Sequence, residues 1–139
     1  MTARCMLRGS CHCGKVTVIF ETAIEPRAFT PRTCDCSFCK KHGASYISDP
    51  NGRLALEATG SDAIGEYRQG SESAKFLLCR QCGVLVAVVF DDETGSYGTV
   101  NARCMDDALA FGEPQTVSPQ KLSSAGKRRR WAKLWTPLA

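Results

Sequence analysis

No apolar run in this 139-residue chain approaches the roughly 20 residues that span a bilayer. The opening segment, MTARCMLRGSCHCG, also lacks the continuous apolar stretch of a secretory signal, so a cytoplasmic protein is expected. Internal repeats and low-complexity segments are absent, which sets aside repeat arrays. A strong charge bias is absent too. Much of the formal net charge of +4 sits in GKRRRWAK near the C-terminus, so the rest is close to neutral and bulk charge gives no argument for nucleic acid. Hydrophobic residues make up 43% and charged residues 23%, ordinary figures for a globular protein, and the length suits one domain over residues 1–139 with one core.

Alternation of apolar and polar residues predicts a half-buried strand in KVTVIFE (15–21), with Val16, Val18 and Phe20 on one face. Further strands are expected at 44–48, 53–58, 63–69, 75–79, 84–90 and 97–102, separated by Gly, Asp, Asn and Ser. Short strands at this spacing predict a mainly β architecture, an antiparallel sandwich or open barrel. PRAFTPRT reads as a loop, and SFCKKHG as one helical turn stopped by Gly43. MDDALAFG is expected to form a short helix, and SSAGKRRRWAKLW a terminal one with Trp131, Leu134 and Trp135 on one side.

Cysteine is abundant: nine residues, seven of them grouped as CHC (11–13), CDCSFC (34–39) and CRQC (79–82), with Cys5 and Cys104 alone. A reducing cytosol keeps ordinary thiol pairs reduced, so grouping of this kind favours metal over disulfides. Zinc takes four thiolates at about 2.3 Å in a closed tetrahedral site. CHC and CRQC are each followed by glycine, Gly14 and Gly83, which suits tight turns presenting two sulfurs to one ion. Cys11, Cys13, Cys79 and Cys82 are therefore expected to close one site.

Cys34, Cys36 and Cys39 then remain as three thiolates with no fourth cysteine nearby, the arrangement of an open zinc centre that keeps a position for water or substrate. An external thiol is a natural occupant, because binding to zinc drives its deprotonation. Alternatively His42, three residues beyond Cys39, supplies a fourth ligand and the site is structural. His12 is expected to face solvent. A reversible Cys36–Cys39 disulfide is a further alternative, without the βαβ pattern that usually surrounds one.

GSCHCGKVTVIFE, CDCSFCKKHGA, KFLLCRQCGVLVA and YGTVNARCMDD, taken in order, resemble the glutathione-dependent formaldehyde-activating enzyme family, which includes centromere protein V. The resemblance spans about residues 7–110. It implies an Mss4-like fold of antiparallel sheets and two zinc ions. One would be structural, on Cys11, Cys13, Cys79 and Cys82; the other would be held by Cys34, Cys36 and Cys39, through which those residues take part in catalysis. The implied activity is that of a carbon-sulfur lyase type, in which glutathione and formaldehyde combine to S-hydroxymethylglutathione. Many relatives have serine where this chain has Val84. Asn101, Arg103 and Asp106 are pocket candidates with an equally ready reading as turn and surface residues, whereas Phe38 and Tyr67 read as packing residues.

Two classes follow. One is a zinc enzyme acting on a glutathione adduct or a related thiol. The other is a non-catalytic zinc module or glutathione carrier whose basic tail, residues 121–139, engages an acidic partner through cations and interleaved tryptophans. The simpler reading of the tail is a solvated helix with docked tryptophans.

Overall fold

Val16, Val18 and Phe20 are buried along strand β2 (Val16–Thr22) while Thr17 and Ile19 between them are half-buried, the two-residue period of a strand laid on a core. In the computed structural model, which describes residues 4–69 and 73–139, this strand is the centre of a three-stranded antiparallel sheet. Its neighbours are β1 (Cys5–Ser10) and β5 (Arg53–Ala58).

A larger sheet runs in the order β10 (Gln115–Val117), β3 (Arg32–Cys34), β4 (Ser45–Ile47), β9 (Gly95–Asn101), β8 (Leu85–Asp92), β7 (Lys75–Cys79) and β6 (Ile64–Tyr67). A short strand β11 (Thr136–Pro137) also pairs with β9. Leu85 to Phe90 of β8 are buried without a break. Continuous burial of that kind needs cover on both faces of the sheet, and two clusters supply it. Val86 and Ala87 join Val16, Val18, Phe20 and Leu54 between the sheets. Leu85, Val88 and Phe90 meet Phe76, Trp131 and Trp135 on the opposite face.

The expected mainly β, antiparallel architecture is what forms, with one qualification: β10 runs parallel to β3. Strands β1, β3, β10 and β11 were not expected. β3 lies at the end of PRAFTPRT, where two prolines suggest a loop, yet Arg32 and Thr33 pair with Tyr46 and Ser45 of β4. MDDALAFG does not become a regular helix; only Ala108–Ala110 form a 3-10 turn. Gly43 has φ +61° and ends α1 (Ser37–His42), its amide donating to the carbonyls of Cys39 and Lys40.

The tail forms α2 (Ser124–Leu134), with the Ser123 hydroxyl accepting from the Gly126 amide at its start. Trp131 and Trp135 are buried and stacked, ring centroids 4.8 Å apart, and both meet the edge or face of Phe90. Leu134 departs from the expected face and is exposed, while its carbonyl accepts from the Ser48 hydroxyl at 2.6 Å. Thr136 just beyond is buried and its hydroxyl accepts from the Asp49 amide. Among the described residues no helix is long and apolar enough to cross a membrane. Residues 1–3 of the opening segment lie outside the described residues.

Candidate metal centres and the adjoining cavity

The first and third cysteine groups meet. Cys11 and Cys13 lie on the turn between β1 and β2, while Cys79 ends β7 and Cys82 lies on the turn that leads to β8. Gly14 has φ +83° and Gly83 φ +80°, left-handed conformations that a side chain would strain, so each turn depends on its glycine. The amide of Cys11 bonds the carbonyl of Val16, and that of Cys79 the carbonyl of Val84, closing two matching hairpin ends.

The four sulfurs lie within 4.8 Å of one another, with Cys11 to Cys13 at 3.7 Å and Cys13 to Cys79 at 3.6 Å. A tetrahedron with metal-sulfur bonds of about 2.3 Å has edges of about 3.8 Å, so the donor set fits zinc. Its thiols titrate unequally. The Lys15 amide favours the Cys13 thiolate, but burial and the three neighbouring sulfurs outweigh it and push Cys13 up to about 11. Burial opposes ionisation of Cys82, yet backbone bonds to Cys13 and Val84 and the thiols of Cys79 and Cys11 bring it down to about 6. His12 is exposed beside them, as expected. Cys104, half-buried, donates to the Leu85 carbonyl rather than joining the group.

The middle group is built differently. Cys34 ends β3, Cys36 caps the start of α1 and Cys39 lies within that helix. The Cys39 amide donates to Cys36 Sγ at 3.4 Å, and Gln69 Nε2 approaches the same sulfur at 3.8 Å. All three sulfurs lie within 4.8 Å of one another and are buried. Cys39 Sγ is 3.2 Å from the Tyr46 hydroxyl. The Cys39 thiol, as the largest influence, lowers Cys34 to about 6 against the opposing effect of burial. Cys39 itself is raised, first by Cys34 and then by burial, and Tyr46 is raised by burial and by the neighbouring thiolates. One negative charge is easy to form here and a second is hard, which is the electrostatics of a donor set suited to a cation.

His42 is not brought to this group. It is exposed, with its ring against Phe38 at a centroid distance of 4.7 Å. Phe38 also stacks on Tyr67 and meets Phe76 edge-on, so both residues pack as expected. Asn101, Arg103 and Asp106 do not line the cavity at the middle group. The Asn101 amide donates to the Leu85 carbonyl and its oxygen accepts from the Arg103 amide, while Arg103 and Asp106 are exposed.

That cavity has a volume of about 110 Å³. Cys34, Cys36, Cys39 and Tyr46 line it, together with the apolar Phe76, Val88, Trp131 and Trp135. Arg32, Lys127 and Arg130 line it as well. Burial first, and then the nearby Arg130 guanidinium, lower Arg32 to about 10. Sequence reasoning missed Arg32 and Tyr46 as site residues, along with the contribution of the tail. Two signals were present: Arg32 and Cys34 are two apart on a strand and share a face, and Lys127, Arg130 and Trp131 recur at helical spacing.

The family described as "Glutathione-dependent formaldehyde-activating enzyme" matches residues 6–123. No curated protein matches the chain. Among solved structures, a crystal structure of a Rhodobacter sphaeroides protein determined as a structural genomics target is similar at 26% identity and a TM-score of 0.57. That match covers 78% of this chain and 99% of the other. With the match running from the first cysteine group past the third, the chain belongs to the glutathione-dependent formaldehyde-activating enzyme family.

Proposed function

We propose that the protein is a zinc-dependent enzyme of carbon-sulfur lyase type that acts on glutathione and formaldehyde, or on a closely related thiol and aldehyde. The observation that carries this reading is the middle group. Three buried thiols, one short of a tetrahedron, line a cavity together with apolar and cationic residues. The reading assigns a structural zinc to Cys11, Cys13, Cys79 and Cys82 and a second zinc to Cys34, Cys36 and Cys39, two ions per chain, within one unit over residues 1–139 that works in the cytoplasm.

Condensation adds the thiol across the carbonyl: a carbon-sulfur bond forms, the carbon-oxygen π bond breaks, and the thiol's proton ends on the new hydroxyl. Cys34, Cys36 and Cys39 would hold the zinc ion, which would lower the pKa of a thiol bound beside them. The chain's own residues set up the rest. The Tyr46 hydroxyl, buried and within hydrogen-bonding distance of Cys39 Sγ, fixes that ligand's orientation. Trp131, Trp135, Phe76 and Val88 keep water from the reacting end, and the cationic residues favour an anionic thiol compound.

The test is metal content joined to kinetics. Two zinc ions per chain are expected, with loss of one in Cys39→Ser, together with saturable formation of the adduct faster than the uncatalysed reaction at equal thiol. Thiol binding without any rate gain would instead identify a carrier of glutathione. The reading as a module for an acidic partner is weakened by the tail, because Trp131 and Trp135 are buried and cannot stack on bases.

A further inference from the structure

Arg32 emerges from β3 two residues before Cys34, on the same face, and lines the cavity with the three cysteines. Its Nη2 donates to the Ser48 hydroxyl at 2.9 Å and to the Thr99 hydroxyl at 3.0 Å. Those two bonds hold the guanidinium plane in place. The Nε and Nη1 groups make no hydrogen bond to any described residue, and each remains free to donate singly to an anionic oxygen.

Charge points the same way. Lys75 pairs with Asp91, whereas among the described residues none of Arg32, Lys127 and Arg130 takes part in an ion pair. Two guanidiniums and an ammonium sharing one partly buried cavity repel one another and lose hydration, and no carboxylate is among the residues that line it. An arrangement that violates the pairing rule at a cavity already holding a donor cluster is the signature of a site awaiting an anion. Lys127 and Arg130 belong to α2, beyond the residues 6–123 matched by the family.

We propose that Arg32, supported by Arg130 of α2, is a specificity-determining residue that grips the carboxylate of a small thiol acid whose sulfur end lies at Cys34, Cys36 and Cys39. The inference rests on the proposed thiol site for the sulfur end alone; the carboxylate end stands on the guanidinium donors left without partners and on the unpaired cations of the cavity. The C-terminal helix is then a working wall of the site, and ligand choice depends on residues that the three cysteine groups do not reveal.

Both tryptophans of the chain line this cavity, so intrinsic fluorescence reports its occupancy directly. The zinc-loaded protein is titrated with 3-mercaptopropionate, 2-mercaptoethanol and cysteamine, which keep the thiol and change the other end from anionic to neutral to cationic. Propionate, which has no thiol, is the fourth ligand. The acid thiol is expected to bind at least about 10-fold more tightly than the neutral one. That preference should vanish in Arg32→Gln and shrink in Arg130→Gln, with 2-mercaptoethanol unaffected by either change. Equal affinity for all three thiols, or a preference that survives both substitutions, overturns the proposal. If no thiol adds anything but propionate binds in an Arg32-dependent way, the thiol site fails and the carboxylate site stands; if neither acid binds, the carboxylate site fails. Arg130 is half-buried on α2, which keeps the test open should Arg32→Gln fold poorly.

Discussion

The hydroxyl of Tyr46 lies 3.2 Å from Cys39 Sγ, joining β4 to the helix that carries the middle cysteine group. Tyr46 is buried and hydrogen-bonds no other side chain among the described residues, so the sulfur is what satisfies it. Tyr46→Phe keeps the ring and removes the bond. A partner of this kind orients a ligand and adjusts its basicity, and losing one weakens metal binding by about 10-fold or more. The expected outcome is faster loss of one zinc ion to a competing chelator with the melting temperature nearly unchanged. An unaltered exchange rate would show that the hydroxyl has no part in holding the ligand.

The four-cysteine group predicts a different pattern. It ties the turn after β1 to the turn after β7 across more than sixty residues, and Cys11 and Cys79 are both buried in the core between the sheets. Metal held there is stability of the fold itself. Cys79→Ser should lose one zinc ion and destabilise the protein by at least about 3 kcal/mol, roughly 10 °C in Tm. Cys39→Ser should lose one ion with a clearly smaller effect on Tm. Thermal unfolding with metal analysis on both variants checks the contrast, and equal losses would contradict the division of roles.

Acid should act with a definable slope. Cys34 is lowered to about 6 by the thiol of Cys39, and Cys82 reaches about 6 through its hydrogen bonds. Above that pH each is already a thiolate, so metal uptake displaces no proton from it. Below it, uptake must displace one more proton at each group. Apparent zinc affinity therefore falls with acid, and below about pH 6 it falls by a further factor of about 10 per pH unit. Competition with a chelator between pH 5 and pH 8 measures the slope, and a straight line through pH 6 would contradict the assignment.

The cysteine groups were legible because metal chemistry is written in spacing. CHC-Gly and CRQC-Gly fix their turns locally, and the positive φ at Gly14 and Gly83 is the backbone form of that pattern. Strands with clean alternation, such as Val16–Thr22, were legible for the same local reason. β3 and β10 were not, because each is only three residues long and owes its existence to a partner: β10 pairs with β3, and β3 with β4. The cavity was hidden for a further reason. Arg32, Tyr46 and Arg130 are about fifteen to nearly a hundred residues apart, and no local pattern says that they share a space.

Trp131 puts the role of the tail to the test. Its ring stacks on Trp135 at 4.8 Å and meets Phe90 at 5.5 Å, and it lines the cavity beside the middle group. Trp131→Ala removes a buried aromatic side chain and leaves a void against Phe90, at a cost of about 3–5 kcal/mol. Arg129 on the same helix is exposed, and Arg129→Ala should fall within about 0.5 kcal/mol of the parent. If α2 is a wall of the thiol site, Trp131→Ala also weakens thiol binding, because the cavity opens to water on that side. Chemical denaturation gives the first quantity, and the cobalt-substituted protein titrated with glutathione gives the second, independently of the lost fluorophore. Stability falling with thiol affinity intact would make the helix a brace for the large sheet alone.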